Sequence, residues 1–294
     1  MDPIRLALES GADIAGVARV GPLREKGAIE PTLLPSAKTV IAIASAHSRT
    51  ALASSNLQVR QYDTISTYEN VRMVADRIVK RLERLGHEAL SVPAFIPIDM
   101  ADGKFGMVGA LDHRAAAVAA GIGSYGRSGL LLTREFGPRV RLGSVLTSWD
   151  GDFAAPAPFS LCLEDCRACL EACPPRALLG EGKIDKTKCG RTIFQYGLRR
   201  VIRFIGEMTE GDPAKRRDLL KGFTLRELWQ NFMAGNYYYC FECQSVCPVG
   251  AHPRDQGSER RKPYNGSKAE IISKRRQVHG QEGIRAGDEE ETDQ

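Results

Sequence analysis

At 294 residues with a net charge of +5, the chain can bury one substantial core, or one domain plus a smaller appended module. Apolar residues make up 43% and charged residues 26%, a globular balance that excludes a wholly disordered chain. Its basic residues are scattered rather than striped, which reads as solvated surface and argues against a nucleic-acid partner.

Met1-Asp2-Pro3-Ile4-Arg5 opens without a basic segment and apolar run, and no window approaches the ~20 apolar residues of a membrane helix. The expectation is a cytoplasmic chain with no membrane span. The first half then alternates helix and strand. Ile4 to Ser10 reads as a short helix stopped by Gly11, Ile14 to Val20 as a small strand, and Val40 to Ala44 as a buried β-branched strand. Tyr68 to Leu85 is the clearest amphipathic helix: Val71, Val74, Ile78, Leu82 and Leu85 recur at helical spacing, and Gly86 caps it. His113 to Ala120 is an alanine-rich helix closed by Gly121. Leu130 to Thr133 and Val140 to Thr147 read as paired strands joined through Gly137-Pro138.

Composition shifts around Asp150. Residues 151–158 read as a linker, every cysteine lies beyond it, and the two halves fall at 1–150 and 159–253. Within the second half, Thr192 to Met208 and Leu225 to Met233 are expected to be helices packed over the cysteine sites. Residues 254–294, polar and charged, are expected to form a mobile tail.

Eight cysteines in a reducing compartment favour metal ligation over disulfides. Cys162, Cys166, Cys169 and Cys173-Pro174 form one group, Cys240, Cys243 and Cys247-Pro248 a second, and Cys189 stands between them. A pair two residues apart presents both thiolates to one centre, while the Cys-Pro three residues further on is carried away; in two-cluster ferredoxins that last Cys ligates the other cluster. The rule assigns Cys162, Cys166, Cys169 and Cys247 to one [4Fe–4S] cluster, and Cys173, Cys189, Cys240 and Cys243 to the other. The Cys162–Cys166 gap is one residue longer than usual. Two structural zinc sites are the alternative, and the doubled Cys-Pro favours iron–sulfur.

Ala120 to Thr147 runs AGIGSYGRSGLLLTREFGPRVRLGSVLT. Gly121, Gly123, Gly126 and Gly129 permit positive φ and close backbone approach to a bulky ligand. They follow a helix and precede a strand, the reverse of the dinucleotide-binding order. This stretch resembles the cobalamin-binding segment of corrinoid-dependent reductive dehalogenases and, more loosely, that of epoxyqueuosine reductase. The resemblance takes in the Tyr68-Glu69-Asn70 helix and the cysteine block, across roughly residues 60 to 250.

The resemblance implies a nitroreductase-like α/β (α+β) domain followed by a two-cluster ferredoxin-like domain, with base-off cobalamin between them. It implies an iron–sulfur oxidoreductase that passes electrons to cobalamin for dehalogenation-type cleavage of a small organic substrate, fed by a low-potential donor such as ferredoxin or flavodoxin. Tyr68 would be the proton donor and Arg127 the cation lowering its pKa. Gly121, Gly123, Gly126, Arg127 and Gly129 would line the cofactor. Arg139 and Arg141 would contact its phosphate or propionamide groups, or else form an exposed strand face. The alternatives are an electron-transfer module without its own substrate and an epoxyqueuosine-reductase-like enzyme.

Some features depart from the families. The acidic residue of epoxyqueuosine reductases would fall near Met107, with Asp99 and Asp102 as poor substitutes. The helical-repeat extension of some tRNA-acting members is not seen, which turns the expectation toward a small molecule. No Asp-x-His-x-x-Gly motif supplies a cobalt ligand, and His47, His87 and His113 read as structural or exposed.

Overall fold

The computed structural model describes residues 1–97, 108–235 and 238–250; Asp99, Asp102, Met107 and the segment from Arg254 onward lie outside them. In chain order the first half holds α1 (Pro3–Glu9), β1 (Ile14–Arg19), α2 (Val20–Glu25), β2 (Thr39–Ala46), α3 (Arg49–Ala53), α4 (Leu57–Arg84), β3 (Ala89–Val92), α5 (His113–Ala119), β4 (Ser124–Tyr125), β5 (Leu131–Leu132) and β6 (Val140–Thr147). The second half holds α6 (Ala168–Glu171), β7 (Leu178–Gly180), β8 (Lys183–Ile184), α7 (Lys186–Ile193), α8 (Leu198–Glu210), α9 (Pro213–Lys221), α10 (Phe223–Ala234) and α11 (Glu242–Ser245). No described helix is long and apolar enough to cross a membrane.

β1, β2, β6 and β3 form a four-stranded sheet in that order, and every pairing in it is antiparallel. Of the two class labels the sequence suggested, α+β is therefore the accurate one. β2 is central and buried on both faces: Ile41 and Ile43 pack on Val71, Val74 and Ile78 of α4. On the other face Ala42 and Ala44 pack against Ala117 of α5.

The expected hairpin between Leu130–Thr133 and Val140–Thr147 does not form. β5 pairs with β4, and β6 pairs instead with β2 and β3. Val145 and Leu146 are fully buried, so β6 bridges the sheet between two strands distant in sequence. Tertiary burial outweighs the short connection.

The 28-residue α4 starts eleven residues before Tyr68, the expected helix start, at an Asn56 cap whose Oδ1 accepts from the Gln58 and Val59 amides. Its first turns bury Gln61, Thr64 and Thr67, polar side chains that hydrophobic spacing does not detect. The helix read over Thr192–Met208 is two helices, α7 and α8. Phe194 to Gly197 interrupt it, and the Tyr239 amide donates to the Ile193 carbonyl at the break.

Candidate functional site

The α4–sheet interface changes character along its length. Next to Ile41, Ile43 and Val145 it is apolar; beyond Ile43 it carries Ser45 and His47, and beyond Gly143 it carries Arg141. Ser45 is paired with Arg141 across the sheet, so His47 lies on the same face. α4 answers in kind. Asn70 donates to Ser45 Oγ at 2.9 Å, and Asp63 meets His47 Nδ1 at 2.6 Å while accepting from the Ser48 amide. Burial holds the His47 imidazole below its ordinary range, against the pull of the Asp63 hydrogen bond. With Nδ1–H given to Asp63, Nε2 is left as an acceptor.

Tyr68 stands beside this polar end. Its ring stacks on Phe95 with centroids 4.7 Å apart, and its hydroxyl lies 3.3 Å from that of Tyr238. The guanidinium of Arg141 sits 4.9 Å from the Tyr68 centroid and 5.2 Å from that of Tyr238. The cation on Tyr68 is thus Arg141, not Arg127, and Arg141 belongs to no exposed strand face. His47 Nε2 and Arg141 Nε are buried and have no hydrogen-bond partner among the described residues. One acceptor and one donor, both desolvated beside Tyr68, fit the hydroxyl and amide groups that edge a large ligand such as a corrinoid.

Arg127 and Arg139 do different work from that expected. Arg127 donates to the Cys166 carbonyl at 3.0 Å and to the Glu164 carbonyl, and its amide approaches Cys162 Sγ at 3.5 Å. Arg139 is buried and donates to the carbonyls of Gln244, Cys247 and Val249. Each arginine fixes one cysteine-bearing loop.

At all four glycines an added Cβ would run into the protein itself. A Cβ on Gly121 would lie 2.5 Å from Pro156 Cβ, on Gly123 2.5 Å from the Leu132 carbonyl oxygen, on Gly126 2.9 Å from the Leu132 side chain, and on Gly129 2.7 Å from the Gly182 carbonyl oxygen. Close approach is required, as the sequence suggested, but the approaching group is the chain itself. The signal was the glycine density; the identity of the neighbour depends on contacts distant in sequence.

Cys162, Cys166, Cys169 and Cys247 line one cavity, together with Arg127 and Pro248. Cys240, Cys243, Cys173 and Cys189 gather separately. Burial pushes the Cys240 thiol up to about 11, with smaller contributions from Cys189 and Cys173. Burial raises Cys243 further, and neighbouring Cys240, Cys189, Cys173 and Cys169 add to it. Cys169 lies within electrostatic reach of Cys243, so the two quartets are neighbours. Among the described residues no three His, Cys, Asp or Glu side chains converge on a single metal-ion position. The thiols of a four-iron cluster stand further apart, one at each iron, and the all-cysteine donor sets suit it. An open recess of about 540 Å³ lies against Arg127, Tyr125 and Arg167 on the outer side of the first quartet.

Sequence reasoning missed Phe95, Asp63 and Tyr238. Only Tyr238 had a signal, the tyrosine run leading into Cys240.

No family model matches the chain. Curated epoxyqueuosine reductases do. The chain is 30% identical to that of Bacillus cereus over 233 residues, covering 76% of this chain and 51% of the relative. It is 28% identical to that of Synechocystis sp. over 271 residues, covering 89% and 78%. It thus spans about half the length of the Bacillus relative, and less of some others.

Solved structures share the fold. An epoxyqueuosine reductase with an epoxyqueuosine-modified tRNA-Tyr stem loop superposes with a TM-score of 0.51 at 23% identity, over 84% of this chain and 64% of that one. A catabolic reductive dehalogenase with 3-bromo-4-hydroxybenzoic acid gives 0.53 at 17%, over 93% and 43%. The order of resemblance is the reverse of that read from the glycine stretch: epoxyqueuosine reductases match in sequence, and the dehalogenase matches in fold.

Proposed function

We propose that the chain, which is similar in sequence to epoxyqueuosine reductases and shares its fold with them and with reductive dehalogenases, is an iron–sulfur reductase of the epoxyqueuosine-reductase type. In this reading residues 1–150 form the substrate half and residues 159–253 carry two [4Fe–4S] clusters in a cytoplasmic enzyme. The observation that carries it is the meeting of Cys247 with Cys162, Cys166 and Cys169 around one cavity. That crossing brings the ends of two separate cysteine motifs together, as two-cluster ferredoxins do.

Arg127 and Arg139 hold the two loops of the first quartet in register. Cys169 and Cys243 make the two quartets neighbours, which suits electron passage from one to the other. A corrinoid, when bound, supplies a strongly reducing cobalt at the Tyr68 face. There the chain's residues do three things. Phe95 and Tyr238 exclude water from the Tyr68 ring. Arg141 places a positive charge over the ring of Tyr68, the proton donor in this reading. Arg141 Nε and His47 Nε2 offer a donor and an acceptor to polar groups of the ligand.

The substrate in this reading is an epoxide-bearing nucleoside carried on RNA, as in the relative solved with a tRNA stem loop. A nucleic-acid partner thereby replaces the small organic molecule first expected. The test is anaerobic reconstitution with iron, sulfide and hydroxocobalamin, followed by metal analysis and turnover of an epoxyqueuosine-containing stem loop. Expected are about eight irons and one cobalt per chain, with conversion of the epoxide. Cobalt with turnover of a brominated hydroxybenzoate alone would move the reading to dehalogenation. Iron without cobalt would leave an electron-transfer module.

A further inference from the structure

The helices from Lys186 to Ala234 supply only Cys189 to the cysteine quartets and no residue named at the Tyr68 site. This helical lobe carries eleven lysines and arginines against five acidic residues. That surplus of six exceeds the +5 of the whole chain, so the molecule's basic excess is concentrated here and the remainder is slightly acidic. All eleven except Arg200 are exposed. The basic residues are not evenly scattered after all.

The lobe also exposes apolar side chains in an ordered pattern. On α8, Leu198, Ile202 and Ile205 recur on one helical face at 55%, 62% and 57% exposure. On α10, Trp229, Phe232 and Met233 do the same at 64%, 62% and 72%. The opposite side of α10 is anchored. Glu227 accepts from the Tyr239 hydroxyl, and Asn231 bonds both that hydroxyl and the Tyr196 carbonyl. Tyr239 immediately precedes Cys240. The inner face of α10 is therefore bonded to the backbone that delivers a thiol of the second quartet, and its outer face is apolar and basic-rimmed.

We propose that the α8–α10 face is the docking surface for a small acidic one-electron carrier protein of the flavodoxin or ferredoxin type, which reduces the cluster held by Cys173, Cys189, Cys240 and Cys243. The proposal rests on the iron–sulfur reading of that quartet. One electron leaves the reduced carrier and enters the cluster, and no bond is made or broken.

Charge selects an acidic occupant. A second copy of the chain would set one basic lobe against another across a two-fold contact. A nucleic acid would satisfy the arginines but leaves the aliphatic stripe of Leu198, Ile202 and Ile205 without a counterpart. An apolar centre with a charged rim is the ordinary anatomy of a protein–protein contact.

The test uses the full chain reconstituted with iron and sulfide, and a bacterial flavodoxin. Calorimetry reads the affinity at low and high salt. Stopped-flow reads the loss of visible cluster absorption driven by flavodoxin hydroquinone, and separately by dithionite. R217E/K221E on the solvent side of α9, and W229A/F232A on α10, are each expected to weaken binding by about tenfold or more. Flavodoxin-driven reduction should slow in step, with iron content and dithionite-driven reduction unchanged. High salt should weaken the wild-type affinity.

Unaltered flavodoxin affinity in both variants overturns the proposal. So does a dimer that W229A/F232A dissociates, or binding to anionic vesicles or a tRNA stem loop that the variants lose while flavodoxin binding is unaffected. A chain that retains no iron refutes the cluster reading by itself, whereas calorimetry with the same variants still decides the surface.

Discussion

Two histidines show how burial alone sets a side chain's chemistry. His113 Nδ1 meets Ser144 Oγ at 2.9 Å and Nε2 meets the Pro93 carbonyl at 3.1 Å, so the neutral ring is fully satisfied. Burial holds its pKa below the ordinary value, outweighing the Pro93 carbonyl and Asp112, and burial does the same to His47. The unfolded chain takes up a proton at each ring near pH ~6.5, where the folded chain does not. Stability is therefore fully present above that value and is lost as the pH falls below it, by up to about 1.4 kcal/mol per pH unit per ring. Urea titrations at neutral and mildly acidic pH should show this loss, and H113Q should lose less between the two conditions than the wild type. An equal loss would mean that His113 is protonated in the folded protein. The structural reading fits His113, whose two partners lie in other elements and could not be read from sequence.

At the scale of elements, two glycines with positive φ separate a cap from a seam. Gly86 (φ +84) closes α4, with the His87 amide donating to the Leu82 carbonyl, and a Cβ there would meet nothing within 4 Å. G86A should cost only about 1 kcal/mol, the strain of a left-handed alanine. Gly137 (φ +57) lies between β5 and β6, and its Cβ would fall 2.0 Å from the Val249 carbonyl oxygen, on the loop after Cys247. G137A should cost above ~4 kcal/mol and reduce bound iron, because the loop must move and take Cys247 with it. Denaturation midpoints and iron content of both variants check this. Gly86 was legible because a helix stop is local. Gly137 read only as a turn, since its neighbour lies more than a hundred residues away. The same reasoning explains α4, whose apolar turns were found while its Gln61 and Asp63 turns were not, and β6, whose partners are β2 and β3 rather than the adjacent β5.

Across the whole molecule, the most legible feature was also the least local. The cysteine spacings, through the Cys-Pro rule, group residues that the fold gathers from Cys162 to Cys247, and the packing of Arg139 on the Cys247 loop ties that group to the sheet. What the spacings left open was the structure around the groups, because arginine and glycine roles depend on which loop comes back against them.

The crossing itself is testable by double replacement. If each motif supplied its own cluster, C166S/C173S would damage one site and leave about four irons, while C166S/C247S would damage both. The crossed arrangement predicts the opposite. C166S removes a ligand from the first quartet and C173S one from the second, so that pair should leave almost no iron. C166S/C247S strikes the first quartet twice and should retain about four. Far-ultraviolet circular dichroism of each protein separates ligand loss from unfolding, because the α4–sheet core contains none of the eight cysteines. Equal iron in the two double variants, with that core intact, would refute the crossed assignment.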